Sequence, residues 1–206
     1  MTKFPLPHIQ IRPAQAGDSP LAAQVFYMSM GGLADYLFGR GGQSAQTLLA
    51  GLFKRNAGRF GYQHSVVAES GGRALGMLVS CSGALLGRLN LETFSHFFPV
   101  LGFKRAVNFI ARGIKLPGGI EAARDEYYIS NLGILPSAQR QGVGSFLLGH
   151  AEEMARAGGL VKCSLLVGLQ NTSAFRLYQH TGYQIVETVR SLNENLGYHR
   201  MVKQLS

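Results

Sequence analysis

Pro136-Ser137-Ala138-Gln139-Arg140-Gln141-Gly142-Val143-Gly144-Ser145 joins two runs of different period. Before it, Tyr127 to Leu135 is an apolar, strand-like run that Pro136 ends. After it, Val143 to Ala157 carries apolar residues at 143, 146, 147, 151, 154 and 155, the spacing of one helical face, and Gly158-Gly159 stops it. Gly142 and Gly144 remove side chains where the helix begins. Backbone N–H groups are then exposed at the positive end of the helix dipole, the physics of a phosphate or pyrophosphate cradle. Arg140 adds a mobile positive charge.

Three phosphate-binding motifs could apply. A Walker loop needs GxxxxGK followed by Ser or Thr, which no stretch supplies. A dinucleotide fingerprint needs a third Gly or Ala where Leu147 stands, and an acidic residue about 20 positions on, where Lys162 stands. The remaining pattern is QxxGxG, read as Gln139-Arg-Gln-Gly142-Val-Gly144. Downstream lie Asn171, Phe175-Arg-Leu-Tyr178 and Gly182-Tyr183, and upstream the strand Tyr128-Ile-Ser-Asn-Leu-Gly-Ile-Leu-Pro136. In this order and spacing the chain resembles the GNAT superfamily of N-acetyltransferases. The resemblance runs from Tyr128 to Tyr183. The N-terminal half fits the family only in its order of elements.

That resemblance implies an α/β fold, a central mixed sheet flanked by helices, with acetyl-CoA as co-substrate and no metal. It implies an enzyme that moves an acetyl group to a primary amine, directly and within a ternary complex. Backbone groups of Leu132 and Ile134 would pair with the pantetheine arm as an added strand. Backbone N–H groups of Gln139, Arg140, Gln141, Gly142, Val143, Gly144 and Ser145 would hold the pyrophosphate. Asn171 would contact the pantetheine end, and Tyr178 would face the sulfur and return a proton to it. Gly133 would mark the bulge that splays two parallel strands. Plainer readings stand beside these. Asn171 also suits a helix cap, Tyr178 shares an apolar face with Ala174, and Gly133 suits simple packing.

A general base must take the amine proton. Glu126 is the leading carboxylate, because it shares strand parity with Tyr128, Ser130 and Leu132. Tyr128 and a water held by Ser130 are the alternatives.

Outward from this segment, Ile9 to Arg12, His64 to Ala68 and Ala74 to Cys81 read as strands, the last two joined by the hairpin signal Ser70-Gly71-Gly72-Arg73. Helices are expected over Leu21 to Met30, capped by Asp18 or Ser19, and from Ser44 onward. Gly31-Gly32 and Gly41-Gly42 read as breaks. Residues 84–119 form a helical insert, in which Phe94, Phe97, Phe98, Leu101, Val107, Ile110 and Ile114 recur at helical spacing among Arg88, Lys104, Arg105, Arg112 and Lys115. It reads as helices on the sheet, as a pocket wall, or as a basic membrane-surface element. The rest alternates strand, helix, strand, helix and two closing strands, which calls for one parallel pair in a mixed sheet.

The chain has 206 residues, 46% hydrophobic and 15% charged, with a net charge of +9. One domain, 1–206, is expected, and a disordered chain is excluded. The charge favours anionic partners, but its scatter argues against nucleic acid. Cys81 and Cys163 sit in apolar runs and read as reduced core thiols. No run reaches about 18 consecutive apolar residues, so no membrane span and a cytoplasmic protein are expected. The acceptor is a small-molecule, peptide or protein amine met by the variable half, its body apolar or large given the insert's aromatics. A homodimer is compatible with this reading. The competing readings are a non-catalytic acyl-CoA-sensing module and a basic nucleic-acid-binding domain on the same fold.

Overall fold

The computed structural model describes residues 8–39, 42–116, 118–191 and 196–206, without the side chains of 42–44. Seven strands form one sheet in the order β1-β2-β3-β4-β5-β7-β6. They are β1 Gln10–Pro13, β2 Ser65–Ser70, β3 Arg73–Ser82, β4 Tyr127–Ile134, β5 Lys162–Gly168, β6 Gln184–Val189 and β7 Tyr198–Gln204. β4 and β5 are parallel, and every other pairing is antiparallel. A mixed α/β sheet with one parallel pair is therefore the fold. Gly71 and Gly72, at φ 57° and 75°, make the two-residue turn between β2 and β3. Positive φ at both central positions matches the strands' right-handed twist.

Helices α1 Ser19–Met30, α2 Gly32–Phe38, α3 Gly42–Lys54, α4 Gly83–Leu101 and α5 Phe103–Gly113 belong to the N-terminal half. α6 Val143–Ala157 and α7 Thr172–His180 follow β4 and β5. Period-two alternation divides the core. Val67, Met77 and Val79 face a cluster built by α1, α3, α4 and α5 around Phe26, Phe53 and Phe97. Ala68, Leu78, Ile129 and Leu165 face a second cluster under α6, with Leu147, Leu148 and Ala151. Cys81 and Cys163 are free and buried, and burial pushes their thiols up to about 11 and about 12. Both are inert protonated core residues at neutral pH.

Two local expectations change. Gly31-Gly32 is not a break between helix and loop but the joint between α1 and α2, with Gly31 at φ 53° and Gly39 at φ 95° ending the second helix. Asp18 does precede α1, but it makes no side-chain cap. Its carboxylate accepts the Gln15 N–H and two bonds from Arg12 instead. Of the break expected at Gly41-Gly42, Gly41 lies outside the described residues, and Gly42 begins α3. No helix among the described residues is long and apolar enough to cross a membrane.

Candidate active site

β4 does two things within eight residues. Val79 pairs with Asn131 and Ser80 with Ile129, so Ser130 is an extra residue, a β-bulge. On the other side, the pairing with β5 covers Tyr127, Tyr128 and Ile129 and stops there. Past that point the parallel strands part. The gap is a cleft of about 40 Å³, lined by Ser130, Asn131, Leu132, Val167, Asn171 and Tyr178 among others. The bulge expected at Gly133 thus falls at Ser130. Gly133 is glycine for another reason: a Cβ there would meet Val25 Cγ1 at 2.8 Å, so its absence lets α1 lie on β4.

The loop after β4 leads from the Leu132 side of the cleft to the start of α6. Gly142, at φ 82°, takes the left-handed conformation that starts α6, with no side-chain cap over the first turn. Arg140 is also left-handed, at φ 61°. The side-chain amides of Gln139 and Gln141 donate to the carbonyls of Ile134 and Ser137 at 3.2 and 3.0 Å. These glutamines brace the loop and leave the backbone N–H groups of Val143, Gly144 and Ser145 at an open helix N-terminus. A Cβ on Gly144 would sit 2.9 Å from Leu177 Cδ2 and 3.8 Å from Ile134 Cγ1, so this glycine seats α6 between α7 and the end of β4.

Asn171 caps α7, its Oδ1 accepting from Ala174 N–H at 3.1 Å, and it also lines the cleft. Tyr178 is buried, its ring against Tyr183, and among the described residues no hydrogen bond from its hydroxyl is found. Burial pushes its phenol up to about 12.

Ser130, Asn131 and Asn171 also line a second, larger cavity of about 600 Å³. One side of it is apolar, with Leu33, Leu37, Phe94, Phe97, Phe109 and Leu116. Phe98 is not part of that wall, and Phe97 is a core residue in edge contact with Phe94 and Phe109. The opposite side holds a charge cluster. Arg59 donates to Glu121 twice, at 3.0 and 2.6 Å, and to Asn90 Oδ1 at 3.2 Å. Tyr128 OH donates to Glu121 at 2.9 Å. Burial pushes the Glu121 carboxyl up, but Arg59's charge and hydrogen bonds and the Tyr128 bond hold it below the usual glutamate range. Burial and the Glu121 charge push the Tyr128 phenol well above its ordinary value. A polar chain continues to the cleft: Ser130 Oγ donates to Asn131 Oδ1 at 3.0 Å, and Asn131 Nδ2 to Ser29 Oγ at 2.7 Å.

Glu126 is not in this cavity. It precedes β4, so strand parity does not govern it, and its carboxylate takes the Ala123 N–H and Arg200. Burial raises its pKa, but these partners lower it further, which makes it a weak base held in a structural ion pair. The carboxylate at the cavity is Glu121. Sequence reasoning missed it because Arg59, Tyr128 and Glu121 share no period and belong to different segments.

Two solved structures share this architecture. One is described as an acetyltransferase, with TM-score 0.69 and 23% identity over 96% of this chain and 100% of that one. The other is an N-acetyltransferase from Staphylococcus aureus Mu50, with TM-score 0.67 and 21% identity over 94% and 99%. The fold is that of the acetyltransferases. Residues 35–183 match the model of the acetyltransferase (GNAT) family, and the chain belongs to that family. GCN5-related N-acetyltransferase 6, chloroplastic, of Arabidopsis thaliana is 44% identical over 61 residues, 30% of this chain. The matched stretch spans about a fifth of that relative, 21% of its length.

Proposed function

We propose that the protein transfers an acetyl group from acetyl-CoA to a primary amine with an apolar body, directly, with both substrates bound. The observation that carries this reading is the continuity of the β4–β5 cleft with the 600 Å³ cavity, sharing Ser130, Asn131 and Asn171. Beyond Leu132 the chain runs on to the open N-terminus of α6, which suits a pyrophosphate, and the cavity offers an aromatic wall for an acceptor.

Bound acetyl-CoA supplies the activated acetyl thioester. The residues present suit it: Gly142 and the uncapped first turn of α6 leave backbone donors clear for phosphate oxygens. The split after Ile129 leaves β4 without a neighbour on that side, so Leu132 can pair with an extended chain. Tyr178, protonated at neutral pH, holds a proton for the departing sulfur. Ser130 and Asn131 hold a water that relays the amine proton through the open cavity to bulk solvent, since the Tyr128 phenol stays protonated and the Glu121 carboxylate is committed to Arg59. Phe94, half exposed on the cavity wall, sets acceptor choice.

The test is a thiol-release assay with acetyl-CoA and a panel of aliphatic amines, aromatic amines and peptide N-termini, run beside calorimetry with CoA. Turnover is expected for amines with apolar bodies, with Phe94→Ala changing acceptor KM before CoA affinity. CoA binding without turnover on any amine would make the protein a sensing module. No CoA binding would remove the reading altogether.

A further inference from the structure

On α5 the apolar arc is wider than the core covers. Ala106 and Phe109 are buried, whereas Phe103 is 77% and Val107 43% exposed, and Ile114 just beyond the helix is 80% exposed. Phe103, Val107 and Ile114 repeat at i, i+4 and i+11, one continuous stripe. α4 repeats the pattern, with Leu91 73%, Phe94 45% and Phe98 45% exposed at i, i+3 and i+7. Phe98 and Phe103 join the two stripes, their ring centroids 5.9 Å apart. Water faces a contiguous apolar surface on two consecutive helices, more than scattered surface hydrophobes account for.

Charge borders this surface. From 83 to 115 the cations are Arg88, Lys104, Arg105, Arg112 and Lys115, against Glu92 as the one carboxylate. Arg112 is spent on the Tyr36 carbonyl, and Arg88, Lys104, Arg105 and Lys115 are exposed. We propose that the α4–α5 hairpin docks on an anionic lipid surface, with Leu91, Phe98, Phe103 and Ile114 entering the acyl boundary and the basic side chains meeting phosphate headgroups.

Two other occupants fit less well. A second copy related by a two-fold axis would bring this cation set against itself. A nucleic acid could stack bases on Phe98 and Phe103, but Leu91, Val107 and Ile114 would leave half of the same surface as bare aliphatic area that bases do not cover. Docking is independent of the chemistry of the cleft. Phe94 belongs both to the stripe and to the large cavity, so a docked molecule holds that cavity wall at the lipid interface.

The full chain is sedimented at low salt with vesicles of phosphatidylcholine alone, and with vesicles containing about one-third phosphatidylglycerol. Partition into the anionic vesicles is expected, with little into the neutral ones. Lys104→Gln and Lys115→Gln, which flank the stripe, should each lower it about fivefold, whereas Arg105→Gln, two residues from both Phe103 and Val107 and so on another face of α5, should change it less. Phe98→Ser with Phe103→Ser should lower it at least about tenfold, and Phe103→Ser alone, at a side chain 77% exposed, should lower it severalfold with the thermal midpoint nearly unchanged. Failure to sediment with anionic vesicles overturns the proposal. So does binding that the phenylalanine pair leaves unchanged, which would be a diffuse charge effect. A dimer in analytical ultracentrifugation that the same pair abolishes would give the face to a second copy and also overturn it.

Discussion

Val25 on α1 lies against Gly133 on β4 so closely that a Cβ on the glycine would meet Val25 Cγ1 at 2.8 Å and Val25 Cβ at 3.2 Å. The contact seats α1 beside the cleft and brings Ser29, one turn on, to 2.7 Å from Asn131 Nδ2. Gly133→Ala is expected to cost about 1–3 kcal/mol, the usual range for overpacking a tight site. Val25→Ala in the same chain should recover part of that loss. Urea unfolding of the two single variants and the double variant measures the coupling, and strictly additive costs would mean that the helix shifts freely.

The Arg59–Glu121 pair has a defined pH signature. Glu121→Gln leaves the Arg59 charge without its carboxylate. A fully buried pair loses about 3–5 kcal/mol this way, but the Glu121 side chain is 34% exposed, so about 1–2 kcal/mol is expected at pH 7. Because the folded pKa of Glu121 lies below the ordinary 4.5, its contribution is present above that value and is lost as pH falls through the folded one. Denaturation midpoints from neutral pH to about pH 3 should fall more steeply for the natural chain than for the variant. Equal slopes would mean the pair does not carry this linkage.

Gly142→Val places a branched side chain at φ 82° over the first turn of α6. The strain is worth about 1–2 kcal/mol, and CoA affinity should fall at least about tenfold as the side chain covers backbone donors. Calorimetry and a melting curve separate the two effects. Gly144 is a poorer probe, since its substitution also strikes Leu177.

Tyr178→Phe keeps the ring in its contact with Tyr183 and removes a hydroxyl for which no partner is found among the described residues. Stability and acetyl-CoA binding should hold, while kcat falls about 10²-fold, the low end for a general acid. With a phenol at about 12, the natural enzyme's kcat should show no loss from Tyr178 ionisation between about pH 8 and 10. Unchanged kcat under conditions where chemistry limits turnover would make Tyr178 a packing residue.

The C-terminal half was legible because its signals are local. Val143 and Ala157 bound α6 where the periodic run and the paired glycines place them. The paired glycines at 71 and 72 likewise fix their hairpin. α2 was not legible, because glycines that end helices and glycines that interrupt chains look alike until φ is known. Glu126 was chosen on a parity that begins one residue later, at Tyr127, and that Ser130 then shifts. Arg200, which holds Glu126, is 74 residues away, and Arg59, which holds Glu121, is 62 away, so both pairings are products of the tertiary fold and leave no local signal.

Three residue pairs, Tyr127 with Cys163, Tyr128 with Ser164 and Ile129 with Leu165, form the whole ladder between β4 and β5. Across that ladder the first four strands meet the last three. It is short, and past Ile129 no backbone pairing joins β4 to β5 among the described residues. What spans the gap is side-chain packing, with Leu177 and Ile134 closing around Gly144 at the start of α6, so the width of the cleft is set by side-chain volume rather than by a backbone ladder.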